Sequence, residues 1–313
     1  MKTTSIAVIV ILAAWLATPA WAASFFFSTG NPDGQLGALS EQASSENGQI
    51  ETETADDFIL SAATVINDAT ITGLIPSGAP LTSITNVEVE LYHVFPADSV
   101  IPPSGKVPTR QNSPADVEIG TATRDGSAGT LAFNNSLVNS SFMVTNTVVN
   151  KLQPKTGGEG SATGEEVQIA ITFTPPIFLP APPPPLNHYF FRPEAQVTSG
   201  DFLHLSAPRP LNPPLFVGDL QAWIRNTNLK PDWLRIGTDI IDGSPAPTFN
   251  MTFSLSGNTV PNAGIPGQAN CHGKTVSALA SQFGNIDAAA AAFGSPAWRR
   301  CKKELGSFAG YRD

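Results

Sequence analysis

The sequence predicts a mainly β protein, an antiparallel β-sandwich or jelly-roll-like domain followed by a small three-helix C-terminal module. Three observations predict it. Apolar and polar residues alternate with period two in many short segments, 28 prolines and 26 glycines punctuate the chain, and helical spacing occurs only near the end. We expect a signal peptide at 1–22, the β-sandwich at 23–256, a linker at 257–270 and the helical module at 271–313.

The first 22 residues have the three parts of a secretory signal. Lys2 supplies a positive charge, Ile6–Leu16 is an apolar run without charges, and Ala20–Ala22 has the small-x-small pattern that signal peptidase requires. The apolar run is shorter than the roughly 20 residues that a helix needs to cross a bilayer. We therefore expect cleavage after Ala22, export to the periplasm or the extracellular medium, and no membrane span in the mature chain.

The β prediction depends on segments whose side chains alternate between two faces. Apolar residues occupy every second position from Val167 to Phe173, and the pattern recurs from Phe249 to Leu255 and from Val87 to Leu91. Such alternation is typical of antiparallel strands with one buried and one wet face. About ten short strands of this kind, joined by turns, favour a sandwich or jelly roll.

Near the C-terminus the apolar spacing becomes helical. Gly284, Gly294 and Gly306 end three short segments with this spacing, which predicts three helices. The only two cysteines of the sequence, Cys271 and Cys301, follow an export signal, so we expect them to form one disulfide. A bridge of this kind would stabilise a module too small to bury a large core.

Charge is distributed unevenly along the chain. Residues 23–270 hold 10 Lys and Arg against 23 Asp and Glu, whereas residues 271–313 hold 6 against 3. An acidic body argues against nucleic acid as the main partner, because phosphate binding requires positive charge. The last predicted helix carries four basic residues, Arg299, Arg300, Lys302 and Lys303. We interpret them as a solvated face, a contact with the acidic sandwich, or a contact with an anionic envelope polymer.

Three segments of the sequence contain motifs that are similar to those of a group of known proteins. They are ETADDF at Glu53–Phe58, DLQAWIRN followed by PDWLRIGTD within Asp219–Asp239, and NCHGKTVSALA at Asn270–Ala280. Together they resemble a group of secreted bacterial β-sandwich proteins of uncharacterised activity. The resemblance implies export, a sandwich and a short helical module at the end, but no particular reaction.

Familiar hydrolase motifs do not occur in the sequence. The string Gly126–Gly129 has the wrong spacing for a serine nucleophile elbow, and the four histidines lie too far apart for a zinc peptidase motif. Paired carboxylates remain candidates for glycoside hydrolysis. The pairs are Asp56 with Asp57, Glu165 with Glu166, and Asp239 with Asp242; the alternative for each is a solvated edge or turn.

Calcium is the metal that suits an exported β protein best, because it binds oxygen ligands supplied by loops. Asp56, Asp57, Asp239 and Asp242 are the candidate ligands, provided that their strands come together. The Asp-x-Asp-x-Asp-Gly loop of an EF-hand is missing from the sequence. We predict no other cofactor.

The pattern Trp-x-Arg occurs twice within a short stretch of the chain, and this repetition predicts a hairpin. Trp223, Arg225, Trp233 and Arg235 flank a turn at 226–232, and pleating places them on one face with aliphatic residues on the other. If that face is open, two indoles and two guanidinium groups offer a surface for a glycan ring or an anionic chain. The alternative is that the Trp–Arg pairs only cover the sheet.

Three functions follow from these patterns. The first is a non-catalytic exported β-sandwich that acts as a surface or extracellular interaction protein. The second is a carbohydrate-binding module that uses the Trp–Arg hairpin. The third is a secreted carbohydrate-active hydrolase with unrecognised carboxylates. The missing catalytic motifs favour the first.

Overall fold

The computed structural model describes residues 23–44, 48–95, 107–181, 187–209 and 219–260, together with residue 280. The predicted signal peptide lies outside these residues. Apart from residue 280, so do the helical module, both cysteines and the basic residues at 299–303, so those features stay predictions. Among the residues that the structure describes, there is no helix of the length and apolarity needed to cross a membrane.

Fifteen strands account for most of the described chain. They are β1 (Ser24–Ser28), β2 (Leu36–Leu39), β3 (Thr52–Ile59), β4 (Thr64–Ile75), β5 (Ile84–His93), β6 (Arg124–Asp125), β7 (Leu131–Val144), β8 (Asn146–Val148), β9 (Ala162–Leu179), β10 (His188–Val197), β11 (Leu203–Ala207), β12 (Trp223–Asn226), β13 (Leu234–Arg235), β14 (Asn250–Met251) and β15 (Phe253–Thr259). A 3-10 turn spans Leu81–Ser83, and a π-helix spans Ile236–Ile241.

The strands form two sheets. Nine belong to the first sheet, which runs β1-β15-β4-β11-β2-β8 and also carries β7, β9 and β14. Six form the second sheet in the order β13-β12-β3-β10-β5-β6. The pairings of these strands are antiparallel except for β2 with β8. The predicted mainly β architecture is confirmed for this part of the chain.

The two sheets pack against each other around one large hydrophobic core. Phe253 of the first sheet stacks on Phe191 of the second, with ring centroids 5.0 Å apart, and meets Phe58 edge-on at 6.3 Å. Along β9 the apolar residues from Val167 to Phe173 are buried in this core, while the residues between them are exposed. The predicted alternation is confirmed there, and apolar burial is the main force that holds the sheets together.

The second sheet departs from the predicted pattern of one buried and one wet face. Tyr92 lies on the face opposite the core, yet it is fully buried. The reason is that residues 110–116 lie over this outer face. The Trp233 indole Nε1 donates to the carbonyl of Ala115 at 3.3 Å, and the Arg225 guanidinium donates to the carbonyl of Asp116 at 3.3 Å.

Candidate functional site

The predicted Trp–Arg hairpin is present as β12 and β13. Trp223 pairs with Arg235, and Ile224 pairs with Leu234 in antiparallel register. The Arg235 guanidinium lies 5.8 Å from the Trp223 ring centre, and the Arg225 guanidinium lies 4.3 Å from the Trp233 ring centre. The aliphatic residues of the hairpin fill the core on the other face.

The hairpin is not the open surface that glycan stacking requires. Trp223 is 1% exposed and Trp233 is 0% exposed, and Arg225 is also 1% exposed. Only Arg235 reaches solvent, with 24% of its side chain exposed. The two indoles therefore offer no free ring face, and the prediction of an exposed ribbon is wrong because a loop covers this face of the sheet.

The covered face carries a layer of charged residues that we call the acidic layer: Glu51, Glu53, Glu88, Glu90, Glu194, Arg192 and Arg225. Strand register aligns its members, since Arg192 pairs with Glu90, Glu194 with Glu88, and Arg225 with Glu53. Four strands, β3, β5, β10 and β12, thus place carboxylates and guanidinium groups side by side.

Arg192 lies at the centre of the acidic layer, and its side chain is 1% exposed. Its nitrogens lie within 4 Å of five carboxylates: Glu90 at 2.5 Å, Glu194 at 2.6 Å, Glu53 at 3.5 Å, Glu51 at 3.8 Å and Glu88 at 3.9 Å. One positive charge is therefore shared among several negative ones.

Arg225 connects the acidic layer to the aromatic residues of the hairpin. It donates to Glu53 at 2.8 Å and to the Tyr92 hydroxyl at 3.0 Å. Its guanidinium group lies over the face of the Trp233 ring. The Tyr92 hydroxyl in turn donates to Glu90 and lies 3.2 Å from Glu53. Because these groups satisfy one another inside the fold, they stabilise the layer and are not accessible to a ligand.

Burial raises the pKa of two carboxyl groups at the acidic cleft. It raises the pKa of Glu88 to about 7, with Arg192 opposing this shift and Glu90 adding to it. Burial also raises the pKa of Glu194 well above its usual range, against the attraction of Arg192. Each of these groups therefore keeps its proton to higher pH than an ordinary glutamate does.

The acidic layer opens to solvent at a cleft of about 340 Å³, which we call the acidic cleft. Its walls include the carboxylates of Glu51, Glu88, Asp125 and Glu194 and the amides of Gln42 and Asn86. Gln42 donates to Glu88 at 3.0 Å, and Asn86 donates to Asp125 at 2.9 Å. Glu194 is 1% exposed, and its Oε1 has no hydrogen-bond partner.

Two carboxylates in the acidic cleft have opposite pKa shifts. Glu88 on β5 lies directly opposite Asp125 on β6 in the strand register. Hydrogen bonds from Asn86 and Ser127 outweigh partial burial and lower the pKa of Asp125, whereas the pKa of Glu88 is raised. A proton donor and a proton acceptor thus face each other across one strand pair.

The four predicted calcium ligands do not come together. Asp56 and Asp57 are neighbours on β3 and point to opposite faces, Asp57 pairing with His188 and Asp56 accepting from the Met251 amide at 2.8 Å. Arg235 binds Asp239 at 2.6 Å, and Lys155 lies 3.4 Å from Asp242. In the described part of the chain, no group of three or more acidic, histidine or cysteine side chains is arranged to hold a metal ion.

The predicted glycosidase pairs are no better placed than the calcium ligands. Asp56 and Asp57 lie on opposite faces of their strand, as do Glu165 and Glu166 on β9, because neighbouring strand residues alternate. Asp239 and Asp242 already have basic partners. Strand register instead places Glu88 opposite Asp125 at the acidic cleft, and sequence reasoning missed this pair because register, not spacing, brings the two residues together. The alternation of Asn86, Glu88 and Glu90 on β5 was the available signal.

We expect the free energy of unfolding to fall as the pH rises from about 5 to about 8. A glutamate titrates near pH 4.3 in an unfolded chain, whereas burial raises the pKa of Glu88 to about 7, and burial together with Asp201 raises that of Glu41 to about 8. The folded state therefore binds more protons over this range, and raising the pH removes that advantage. Urea unfolding at several pH values measures the slope. Glu88→Gln mimics the protonated acid and should flatten the slope near pH 7, and a slope of the opposite sign would contradict the interpretation.

Comparison with known proteins identifies no family for this chain. No protein-family model, curated protein or solved structure matches the chain.

Proposed function

We propose that this chain is an exported, non-catalytic β-sandwich that acts as an interaction protein at the cell surface or in the extracellular medium. One observation carries the non-catalytic part of the proposal. Arg225 and Trp233, which the sequence offers as ligand-binding residues, and Arg192 between the glutamates are each at most 1% exposed and contact partners inside the fold. Their role is to hold the covered sheet together. The leader at 1–22 supports export.

The partner that we propose is an extracellular glycan or an anionic envelope polymer. The basic residues at 299–303 supply positive charge for an anionic polymer, and export supports a Cys271–Cys301 bridge that holds the helical module together. The resemblance to secreted β-sandwich proteins through ETADDF and PDWLRIGTD supports the same setting.

Intact mass and capture on polymers test this proposal together. The secreted chain should begin at Ala23 and lack the two thiol hydrogens, and immobilised envelope polymers should retain it without releasing reducing ends. A variant with glutamine at positions 299, 300, 302 and 303 serves as the matched comparison and should lose retention on anionic polymers. Full-length chain recovered from the cytosol with two reactive thiols, or no retention on any polymer, would refute the proposal.

A secreted glycoside hydrolase is the second candidate, and the acidic cleft favours it. Glu88 has the raised pKa of a general acid, and Asp125 has the lowered pKa of a base or nucleophile. A pair of carboxyl groups in these two states is the arrangement that glycoside hydrolysis uses.

Release of reducing ends from a panel of polysaccharides decides between the two candidates. Hydrolysis should fall about 100-fold or more in Glu88→Gln and Asp125→Asn, while Glu165→Gln on the first sheet should keep full activity. Release that is unchanged in both cleft variants, or no release from any substrate, would eliminate this candidate.

A further inference from the structure

The acidic layer and the acidic cleft together contain too few positive charges for their carboxyl groups. Five carboxyl groups, Glu51, Glu53, Glu88, Glu90 and Glu194, share the two buried guanidinium groups of Arg192 and Arg225. Asp125 adds a sixth carboxyl group at the wall of the cleft. Lys230 adds a third positive charge 3.9 Å from Glu53, but half of its side chain is exposed. Five carboxylates lie within 4 Å of the Arg192 guanidinium, so negative groups outnumber the positive group at the centre of the layer.

A buried acceptor in the acidic cleft lacks a donor. Glu194 lines the cleft, is 1% exposed and binds Arg192 through Oε2 at 2.6 Å, while its Oε1 accepts no hydrogen bond. A buried carboxylate oxygen without a donor is costly unless a proton or a ligand satisfies it. An unpaired buried acceptor and several carboxyl groups therefore lie together at the wall of the acidic cleft.

We propose that the acidic cleft binds the primary ammonium group of an organic cation, a lysine side chain or a free polyamine. This inference goes beyond the proposed envelope-polymer function, because it concerns the acidic face of the sandwich rather than the basic tail. The ammonium group brings the positive charge that the layer lacks and donates to Glu51, Glu88 and Asp125.

The arrangement of the acceptors selects an ammonium group over other cations. The carboxylates of Glu51, Glu88 and Asp125 come from separate chain segments around the cleft. An ammonium group carries three rotatable donors on a flexible stem, which suits scattered acceptors, whereas a guanidinium group needs paired acceptors in one plane. A metal ion is disfavoured, because no metal-binding group of side chains is found in the described residues.

Calorimetric titration at pH 8 tests the proposal, since Glu88 is then mostly ionised and alkylammonium groups stay protonated. The probes are Nα-acetyl-lysine amide and spermidine. The neutral control is the same lysine compound acetylated at both Nα and Nε, and the guanidinium control is Nα-acetyl-arginine amide. We expect at least one amine to bind about tenfold or more tightly than the neutral control. Tighter binding of the lysine compound identifies a peptide source, and tighter binding of spermidine identifies a free polyamine.

Variants locate the binding. Glu51→Gln and Glu88→Gln should each weaken binding of the amine about fivefold or more, whereas Glu165→Gln, with the same charge change on the first sheet, should not. Circular dichroism of each variant confirms that it is folded. Equal binding of the neutral control, tighter binding of the arginine compound, or equal losses in all three variants would overturn the assignment. Retention of the protein on anionic polymers depends on the basic residues at 299–303 and not on the acidic cleft. Each proposal can therefore be refuted without refuting the other.

Discussion

Replacing Arg192 by methionine is expected to lower the free energy of unfolding strongly at neutral pH. The side chain is 1% exposed and lies within 4 Å of five carboxylates, so its loss leaves negative charges buried without a partner. Removing one member of a buried ion cluster typically costs about 3–5 kcal/mol, a large share of the stability of a domain. Urea unfolding followed by far-ultraviolet circular dichroism measures the loss.

The pH dependence of this variant separates charge from packing. Between pH 7 and pH 5 the carboxyl groups near position 192 take up protons, so the destabilisation should shrink. Lys155→Met is the matched control, because Lys155 is 74% exposed and a surface ion pair such as the one with Asp242 contributes little to stability. An Arg192→Met variant as stable as the control at pH 7, or equally destabilised at both pH values, would contradict the role of the layer.

Replacing Trp233 by alanine is expected to cost about 3–5 kcal/mol of stability. The indole is 0% exposed, lies under the Arg225 guanidinium at 4.3 Å and meets the Tyr92 ring edge-on at 5.5 Å. Its loss leaves a cavity and removes a cation–π contact. Urea unfolding monitored by circular dichroism tests it, with Trp233→Phe expected to fall between wild type and the alanine variant.

Phe26 offers the matched control for this second prediction. It is a large aromatic residue on β1 with 71% exposure, so Phe26→Ala should change the free energy of unfolding by about 0.5 kcal/mol or less. If Trp233→Ala costs no more than Phe26→Ala, the indole is not buried as described. The comparison also bears on glycan-binding assays. If Trp233→Ala is strongly destabilised, a loss of retention on a glycan reports unfolding and not the loss of a sugar contact.

The fold of the described chain was predictable wherever local pattern decides structure. The alternation from Val167 to Phe173 and from Phe253 to Leu255 gives strands with the expected buried faces. The repeated Trp-x-Arg pattern forms the expected hairpin, with Trp223 opposite Arg235. In each of these segments the side chains on one face are apolar, so burial fixes the register.

Pro175 and Pro176 lie within strand β9, although prolines are more typical of turns and connecting segments. They fall in the register shift of the β4–β9 ladder, between the pairs of Ile66 and Asp68. A proline lacks the amide proton that a ladder requires, and a bulge is where that loss costs least. Composition alone could not show that the strand continues through them.

The candidate site was less predictable because it depends on contacts between distant segments. Residues 110–116 cover a face that has the sequence pattern of a solvent-exposed surface, and periodicity does not show which loop covers which sheet. The opposition of Glu88 and Asp125 comes from the pairing of β5 with β6. The candidate calcium ligands lie apart for a related reason, since Asp56 and Asp57 alternate across β3 and the other two have basic partners.

The pKa of the Glu88 carboxyl group tests the central claim most directly, namely that the acidic layer lacks positive charge and opens at the acidic cleft. Carbon-13 nuclear magnetic resonance of the side-chain carboxyl groups, assigned by comparison with Glu88→Gln, follows this titration in the folded protein. We predict a midpoint near pH 7, shifted to lower pH when the bound ammonium compound is present. A midpoint near the usual value of about 4.3, unchanged by the compound, would contradict the account.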